Sequence, residues 1–174
     1  MNKLLFPAAI SLTLALAACS TAPTPPAKPA VPQVAPEQRL AAAVAASAGA
    51  DDRELAVQPL RDPQVQDLRE DATAALAARN YAAAADALNQ ALLIVADDPA
   101  VLQERAEVAL LQADNERAET LAKRAFDLGS KVGPLCRRHW ATIEQARLAR
   151  GLAQDAASAH TQIAGCTVAG LDRM

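Results

Sequence analysis

Two stretches of this chain repeat one pattern of small and apolar residues at an interval of 34 residues. The first copy is Leu68, Ala72, Leu76, Tyr81, Ala84, Leu88 and Ala91, and the second is Leu102, Ala106, Leu110, Asn115, Ala118, Ala122 and Ala125, with five of the seven residues identical. In each copy, apolar residues four apart mark one helix, a polar turn follows, and a second stripe marks another helix. One such pair cannot bury its apolar face alone, so the copies must stack. The chain is therefore predicted to be all-α, a short array of antiparallel helix pairs.

The composition agrees with this fold class and excludes some functions. Alanine supplies much of the 52% hydrophobic content, and alanine favours helix over strand. Four aromatic residues, Phe6, Tyr81, Phe126 and Trp140, are too few to form a platform on which nucleic-acid bases stack. The formal net charge is −3, without the basic excess typical of nucleic-acid-binding proteins.

The repeat resembles the tetratricopeptide repeat (TPR), a 34-residue helix pair. Small residues recur where that family needs close helix approach, and Tyr81 falls on its turn tyrosine. Asp98 and Pro99 are a cap and a first helical position for the second copy. Two departures are that this Asp-Pro pair comes later than usual and that the glycine before the turn tyrosine is absent. The resemblance implies a TPR-like α-solenoid over residues 65–170.

A third, degenerate copy follows after a slip of four residues. It is aligned on Trp140, Ile143, Arg147, Leu148, Gly151, Ala156 and Ala159. Trp140 then takes the place of the bulky first-helix residue Leu102, while Glu144 stands where a small residue is expected. A terminal copy that faces water would tolerate this change.

The N-terminal residues 1–18 are typical of a signal peptide. A basic start is followed by a 14-residue apolar run, Leu4 to Ala17, which is too short to cross about 30 Å of hydrocarbon. Leu16-Ala17-Ala18-Cys19 resembles the lipobox of bacterial lipoproteins. The resemblance implies cleavage before Cys19 and lipidation of Cys19 with fatty acyl chains such as palmitate. Ser20, rather than Asp, follows the cysteine, which by family resemblance favours the outer membrane, periplasmic face, over the inner membrane.

Residues 19–36 are predicted to be the lipidated cysteine and a disordered Pro/Ala-rich tether. Six prolines occur between Ser20 and Pro36, without an apolar period. Residues 37–64 are predicted to hold N-terminal helices. One runs from Glu37 to Ala48 with Leu40 and Val44 on one side, and Asp51 to Leu60 is ambiguous. We expect these helices to cover the exposed edge of the first repeat.

Cys136 and Cys166 are the thiols that remain if Cys19 is lipidated. They would open and close the third helix pair, so their side chains can meet in a disulfide, which the oxidising periplasm favours. Free thiols and a metal site that adds His139 and His160 are the alternatives. Six residues of helix, roughly 9 Å, separate His160 from Cys166, which argues against a metal site.

No catalytic set of residues is recognisable. The serines lack a nucleophile elbow, and no glycine-rich phosphate loop is present. We therefore expect a protein that is not an enzyme and that uses no cofactor or metal. Acidic residues outnumber basic ones between Asp51 and Glu119, and the reverse holds from Lys123 onward. This division is either a solvated surface with chance clustering or a bipolar surface that orients a partner.

The TPR resemblance implies that the first helices of successive copies line a concave face that binds a peptide or a partner helix. Residues placed there by repeat position are Arg69, Thr73, Leu76, Gln103, Glu107, Leu110, Arg138, Gln145 and Leu148. The sequence thus predicts a membrane-anchored periplasmic adaptor or scaffold that binds an envelope protein, with no nucleic-acid partner. The alternative is a structural or self-associating envelope lipoprotein without a specific ligand.

Overall fold

Seven α-helices and no strand make up the residues that the computed structural model describes, which are 34–48 and 62–167. The helices are α1 (Pro36–Ser47), α2 (Pro63–Ala77), α3 (Tyr81–Ile94), α4 (Pro99–Leu111), α5 (Asn115–Leu128), α6 (Pro134–Ala149) and α7 (Ala153–Gly165). The signal segment, Cys19, most of the tether and the ambiguous stretch Asp51 to Leu60 lie outside the described residues. The all-α prediction is confirmed.

The first helix of each pair begins with a proline in its first turn. Proline occupies the first turn of α2, α4 and α6, where its missing N–H is not needed. The Asp62 side chain caps α2 by accepting from the Gln64 backbone N–H at 2.8 Å. Asp98 caps α4 by accepting from the N–H groups of Ala100 and Val101. At α6 the cap position is Gly133.

The second helix of each pair follows a tight turn. Arg79, Ala113 and Gly151 stand in the turns with φ of 56°, 59° and 75°. A residue other than glycine pays roughly 1–2 kcal/mol for that left-handed conformation, and only the third turn uses glycine. The side chains of Asn80 and Asp114 then cap α3 and α5.

The helices pack as pairs, α2 with α3, α4 with α5 and α6 with α7, and neighbouring pairs pack on one another. Alanine dominates the contacts: Ala84, Ala118 and Ala159 are fully buried, which lets the helices approach closely. Ala106, Ala122, Ile143 and Ala159 form one cluster that links the second pair to the third. This packing is that of a helical repeat array.

The third pair is anchored by a residue that the repeat alignment did not select. Trp140 is only half-buried and packs its ring 4.9 Å from that of Phe126. The side chains of α6 without solvent exposure are Cys136, His139, Thr142, Ile143 and Ala146. The alignment is therefore one residue out of register at its first position, where His139 and not Trp140 is fully buried, whereas its second position, Ile143, is buried.

A disulfide closes the open end of the third pair. It joins Cys136 in the first turn of α6 to Cys166 at the end of α7, with Cα atoms 5.7 Å apart. The Gly133 N–H also donates to the Cys166 carbonyl at 2.7 Å. Both sulfurs are buried, so α7 is fixed to α6 at each end of the hairpin.

Helix α1 does not cover the edge of the first repeat, contrary to expectation. It packs mainly against α6 and also against α4. Leu40 lies on a cluster formed by Ala109, Leu110 and Ala146. We call the surface formed by α2, α4 and α6 the first-helix face, and α1 lies on it. Small side chains on α4 and α6, Ala109 and Ala146, leave room for α1 on this face. Helix α1 therefore docks there and not at the edge of the first repeat.

Candidate protein-interaction face

Four charged side chains cross the first-helix face as two ion pairs, and we call them the charge cluster. Arg69 of α2 binds Glu104 of α4 through two hydrogen bonds, one from Nε to Oε2 at 2.8 Å. Arg138 of α6 binds Glu107 of α4 in the same way, with Nη2 donating to Oε2 at 2.6 Å. An arginine that shares two hydrogen bonds with one carboxylate fixes the relative position of the two helices and also neutralises the carboxylate. The charge cluster therefore connects all three first helices.

Both arginines of the charge cluster are held in the charged form. The hydrogen bond to Glu104 raises the pKa of Arg69. Burial opposes the charge of Arg138, but its hydrogen bond to Glu107 and the nearby carboxylates outweigh burial and raise its pKa. These guanidinium groups are already neutralised by partners, so they are not spare charges for a ligand.

A buried polar network lies beside the charge cluster, between α4 and α6. The Gln103 amide nitrogen donates to Glu107 at 2.9 Å and to the Thr142 hydroxyl at 2.7 Å. His139 Nδ1 lies 2.7 Å from the Gln103 amide oxygen, so Nδ1 carries the proton and donates. Its other nitrogen, Nε2, is buried with no hydrogen-bond partner.

The protein environment keeps His139 neutral. Burial, followed by the positive charges of Arg138 and Lys131, lowers the pKa of His139 to about 4. A Cβ atom at Gly129 would lie 3.4 Å from His139 Nε2 and 2.9 Å from the Ala125 carbonyl. Glycine at this position therefore lets α5 end directly against the imidazole.

The structure separates the residues that the sequence placed on a partner-binding face. Gln103 and Glu107 are buried in the network between α4 and α6. Arg69 and Arg138 are engaged in the charge cluster. Thr73 is exposed, with its hydroxyl donating to the Arg69 carbonyl at 2.9 Å. These locations leave Thr73 and parts of both arginines within reach of a partner.

The remaining predicted contacts divide in the same manner. Gln145 is half-buried and Leu148 is exposed. Leu110 is fully buried beneath Leu40 of α1. Leu76 lines an open groove beside α1. The apolar half of the first-helix face is thus divided between a part that α1 covers and a part that stays open.

We call that open part the apolar groove. It has a volume of about 630 Å³ and runs between α1 and the end of α2. Its lining residues are Glu37, Leu40, Ala41, Val44, Ala45, Leu76, Ala77, Arg79, Tyr81 and Leu111. The Tyr81 hydroxyl donates to the Glu37 carboxylate at 3.0 Å across one end. Sequence reasoning missed the groove because half of its wall comes from α1, whose position was not predicted.

A second group of charges joins α5 to α6. The carboxylate of Glu119 accepts from Arg147 at 2.9 Å, from Arg150 at 2.7 Å and from Lys123 at 2.6 Å. Burial raises the pKa of Glu119, but these hydrogen bonds and charges outweigh it and lower the pKa. The acidic and basic parts of the chain therefore meet inside the fold, which neither sequence interpretation had considered.

The described part of the chain contains no group of three His, Cys, Asp or Glu side chains placed to hold a metal ion. None of its helices is both long and apolar enough to cross a membrane.

The chain is similar to one solved structure, the globular C-terminal domain of LpoP from P. aeruginosa. The two share 29% sequence identity and a TM-score of 0.57, and the match covers 60% of this chain and 99% of that chain. No family model and no curated protein sequence matches this chain. LpoP is a bacterial outer-membrane lipoprotein. The likeness shows a shared fold with this domain, whereas membership of the TPR family stays a prediction.

Proposed function

We propose that this chain is a non-catalytic adaptor, anchored by lipid at the periplasmic face of the outer membrane, that binds another envelope protein through its first-helix face. The observation that carries the proposal is the apolar groove. The groove is open to solvent, and apolar side chains of α1 and α2 line it. Grooves of this shape accept an amphipathic segment that inserts a few apolar side chains. Glu37 and Arg79 stand at the rim, one charge of each sign.

Two further observations support the envelope location. The lipobox and the Pro-rich tether come before the helical array in sequence, an arrangement that holds a domain away from a bilayer. The array is similar to the C-terminal domain of LpoP, itself part of an outer-membrane lipoprotein. Together they support a protein that acts at a distance from its own anchor.

The alternative, a self-associating structural lipoprotein, draws on a different surface. Leu93 at the end of α3 is 86% exposed, and Ile94 and Val95 beside it are 40% and 38% exposed. Exposed apolar residues in a row can mark a contact between copies. This patch is on a second helix, α3, and not on the first-helix face, so the two proposals can be tested separately.

The test is site-specific crosslinking in the native envelope. A photo-reactive amino acid at Ala77, which lines the apolar groove, should crosslink one envelope protein. The control position is Ala74, which is exposed on the same helix but does not line the groove. The crosslinked peptide of the partner should be amphipathic, with apolar residues three and four apart.

A charge in the groove should weaken the complex. Ala77→Glu should lower recovery of the partner by about tenfold or more, because a carboxylate buried against apolar side chains costs well over 1.4 kcal/mol. The melting temperature should not change, since Ala77 is exposed, and Ala74→Glu should behave as wild type. Equal crosslinking from both positions would overturn the proposal, and crosslinks between copies alone would favour the structural alternative.

A further inference from the structure

A helix of this chain already lies on the first-helix face. Leu40 of α1 packs on Ala109, Leu110 and Ala146. At the other end of α1, the Arg137 guanidinium donates from Nε to the Ser47 carbonyl at 3.1 Å. That carbonyl belongs to the last turn of α1, where no intrahelical N–H is available. The surface of α4 and α6 is therefore shaped to hold a short helix.

The bound helix packs against α6 and α4 but buries few of its own side chains. Ala43 is the one fully buried residue in the 12 residues of α1. Pro36, Arg39, Leu40 and Ser47 are half-buried and complete a single narrow stripe. The N-terminus of α1 has no side-chain cap, and a helix this short is marginal without packing. In contrast, α4 buries ten of its 13 residues.

The stripe also defines what kind of helix fits. It needs a small residue at the centre, a leucine three residues earlier, and a last-turn carbonyl within reach of Arg137. The neighbouring side of α1 lines the apolar groove, and Ala42 on the far side is exposed. Docked α1 thus covers part of the first-helix face and forms one wall of the groove that remains.

We infer that α1 is an exchangeable occupant of the first-helix face. When α1 is docked, the surface on α4 and α6 is closed, and when α1 leaves, a short alanine-rich helix of the partner binds in its place and supplies the wall of the apolar groove that α1 formed. This inference rests on the proposed function for the identity of the partner as an envelope protein. It adds a means of regulation, because any event that pulls α1 away exposes the site.

The test uses residues 19–174 carrying Cys19→Ser, with a labelled peptide of residues 34–48 as the probe. Ala43→Glu in the protein places a carboxylate at a position with no solvent exposure, so α1 should undock. The matched control is Ala42→Glu, which adds the same charge at the exposed neighbouring position. The peptide should bind the Ala43→Glu protein at least about tenfold more tightly than the control or the unsubstituted protein, in which α1 competes from the same chain.

Specificity is checked in the peptide itself. A peptide carrying Ala43→Glu should not bind any of the three proteins. Equal binding to all three proteins, or equal binding of both peptides, would overturn the inference. Binding to the Ala43→Glu protein without any groove-dependent crosslink in the envelope would leave the inference standing and remove the proposed function.

Hydrogen exchange decides the matter if the Ala43→Glu protein fails to fold. In the unsubstituted protein, amides of α1 should exchange at least about tenfold faster than those of α4, because α1 opens without unfolding the array. Protection of α1 equal to that of α4 would show that α1 opens only with the whole domain, and would overturn the inference.

Discussion

His139 is a neutral imidazole at the centre of a buried network, and its position ties stability to pH. Its pKa is about 4 in the folded chain and about 6.5 in an unfolded chain. As the pH falls below 6.5, His139 is protonated in the unfolded chain, whereas in the folded chain it is protonated only near pH 4. The stability contributed by the neutral form is complete above pH 6.5 and is lost as the pH falls through this window.

We predict that the free energy of unfolding falls by about 2 kcal/mol between pH 7 and pH 5 on account of this histidine. His139→Gln keeps a neutral donor for Gln103 and should remove that part of the pH dependence. Urea unfolding at the two pH values measures it. His160, whose side chain is 70% exposed, gives the control His160→Gln, which should keep the dependence of the unsubstituted protein. An unchanged pH dependence in His139→Gln would contradict the assignment.

The exposure of single residues is where the sequence predicted least. Gln103 and Glu107 are polar and were assigned to an open face, but α4 is covered on nearly all sides. A helix with neighbours all round loses the link between polarity and exposure on which periodicity arguments depend. The sequence named His139 only as an alternative metal ligand, and its burial was not predicted because the larger apolar side chain of Trp140 stands beside it.

At the scale of helices, the sequence predicted more. Asp98 and Pro99 marked where α4 begins, and the 34-residue spacing marked which helices pair. The position of α1 could not be predicted in this way. Leu40 and Val44 were expected to form its buried side, yet Ala43 is buried and Val44 is 44% exposed. Whether an alanine is buried depends on which neighbouring helix packs against it. The sequence of one helix alone does not identify that neighbour.

The hairpin of α6 and α7 gives a prediction at this scale. Helix α7 buries only Ala156 and Ala159, so the disulfide at its end should contribute much of its stability. Replacing Cys136 and Cys166 together by alanine should lower the free energy of unfolding by about 3–4 kcal/mol, the chain-entropy value for a loop of about 30 residues. Urea unfolding of oxidised protein measures the loss.

Reduction supplies the control for that prediction. A reducing agent should destabilise the unsubstituted protein by a similar amount and should leave the double-alanine variant unchanged. If Cys136 and Cys166 can both be alkylated in protein taken from the periplasm without reduction, the disulfide is absent and the prediction is wrong.

At the scale of the whole molecule, the acidic and basic parts of the chain meet at two helix contacts. Glu107 and Glu119 come from the acidic part, and each meets arginines of α6 across a helix contact. These ion pairs make the contacts of α4 and α5 with α6 electrostatically complementary, since like charges in the same positions would repel.

The predicted lipid anchor at Cys19 lies outside the described residues, so it depends on the lipobox alone. Cys19→Ala should abolish incorporation of a fatty-acid label and leave uncleaved precursor or soluble protein. The folded domain should keep its melting temperature, because no described helix depends on the anchor. Labelling followed by membrane fractionation measures both results, and label retained on Cys19→Ala would contradict lipidation at this residue.

The choice of membrane is a separate prediction, and Ser20 tests it without removing the anchor. Ser20→Asp should leave acylation and melting temperature unchanged but move the protein from the outer to the inner membrane. An adaptor whose partner is reached from the outer membrane should then lose the crosslink from Ala77, although its apolar groove is intact. Loss of that crosslink with the fold preserved would show that location and groove act together. A crosslink that persists from the inner membrane would instead place the partner within reach of both membranes, and outer-membrane anchoring would not be required for binding.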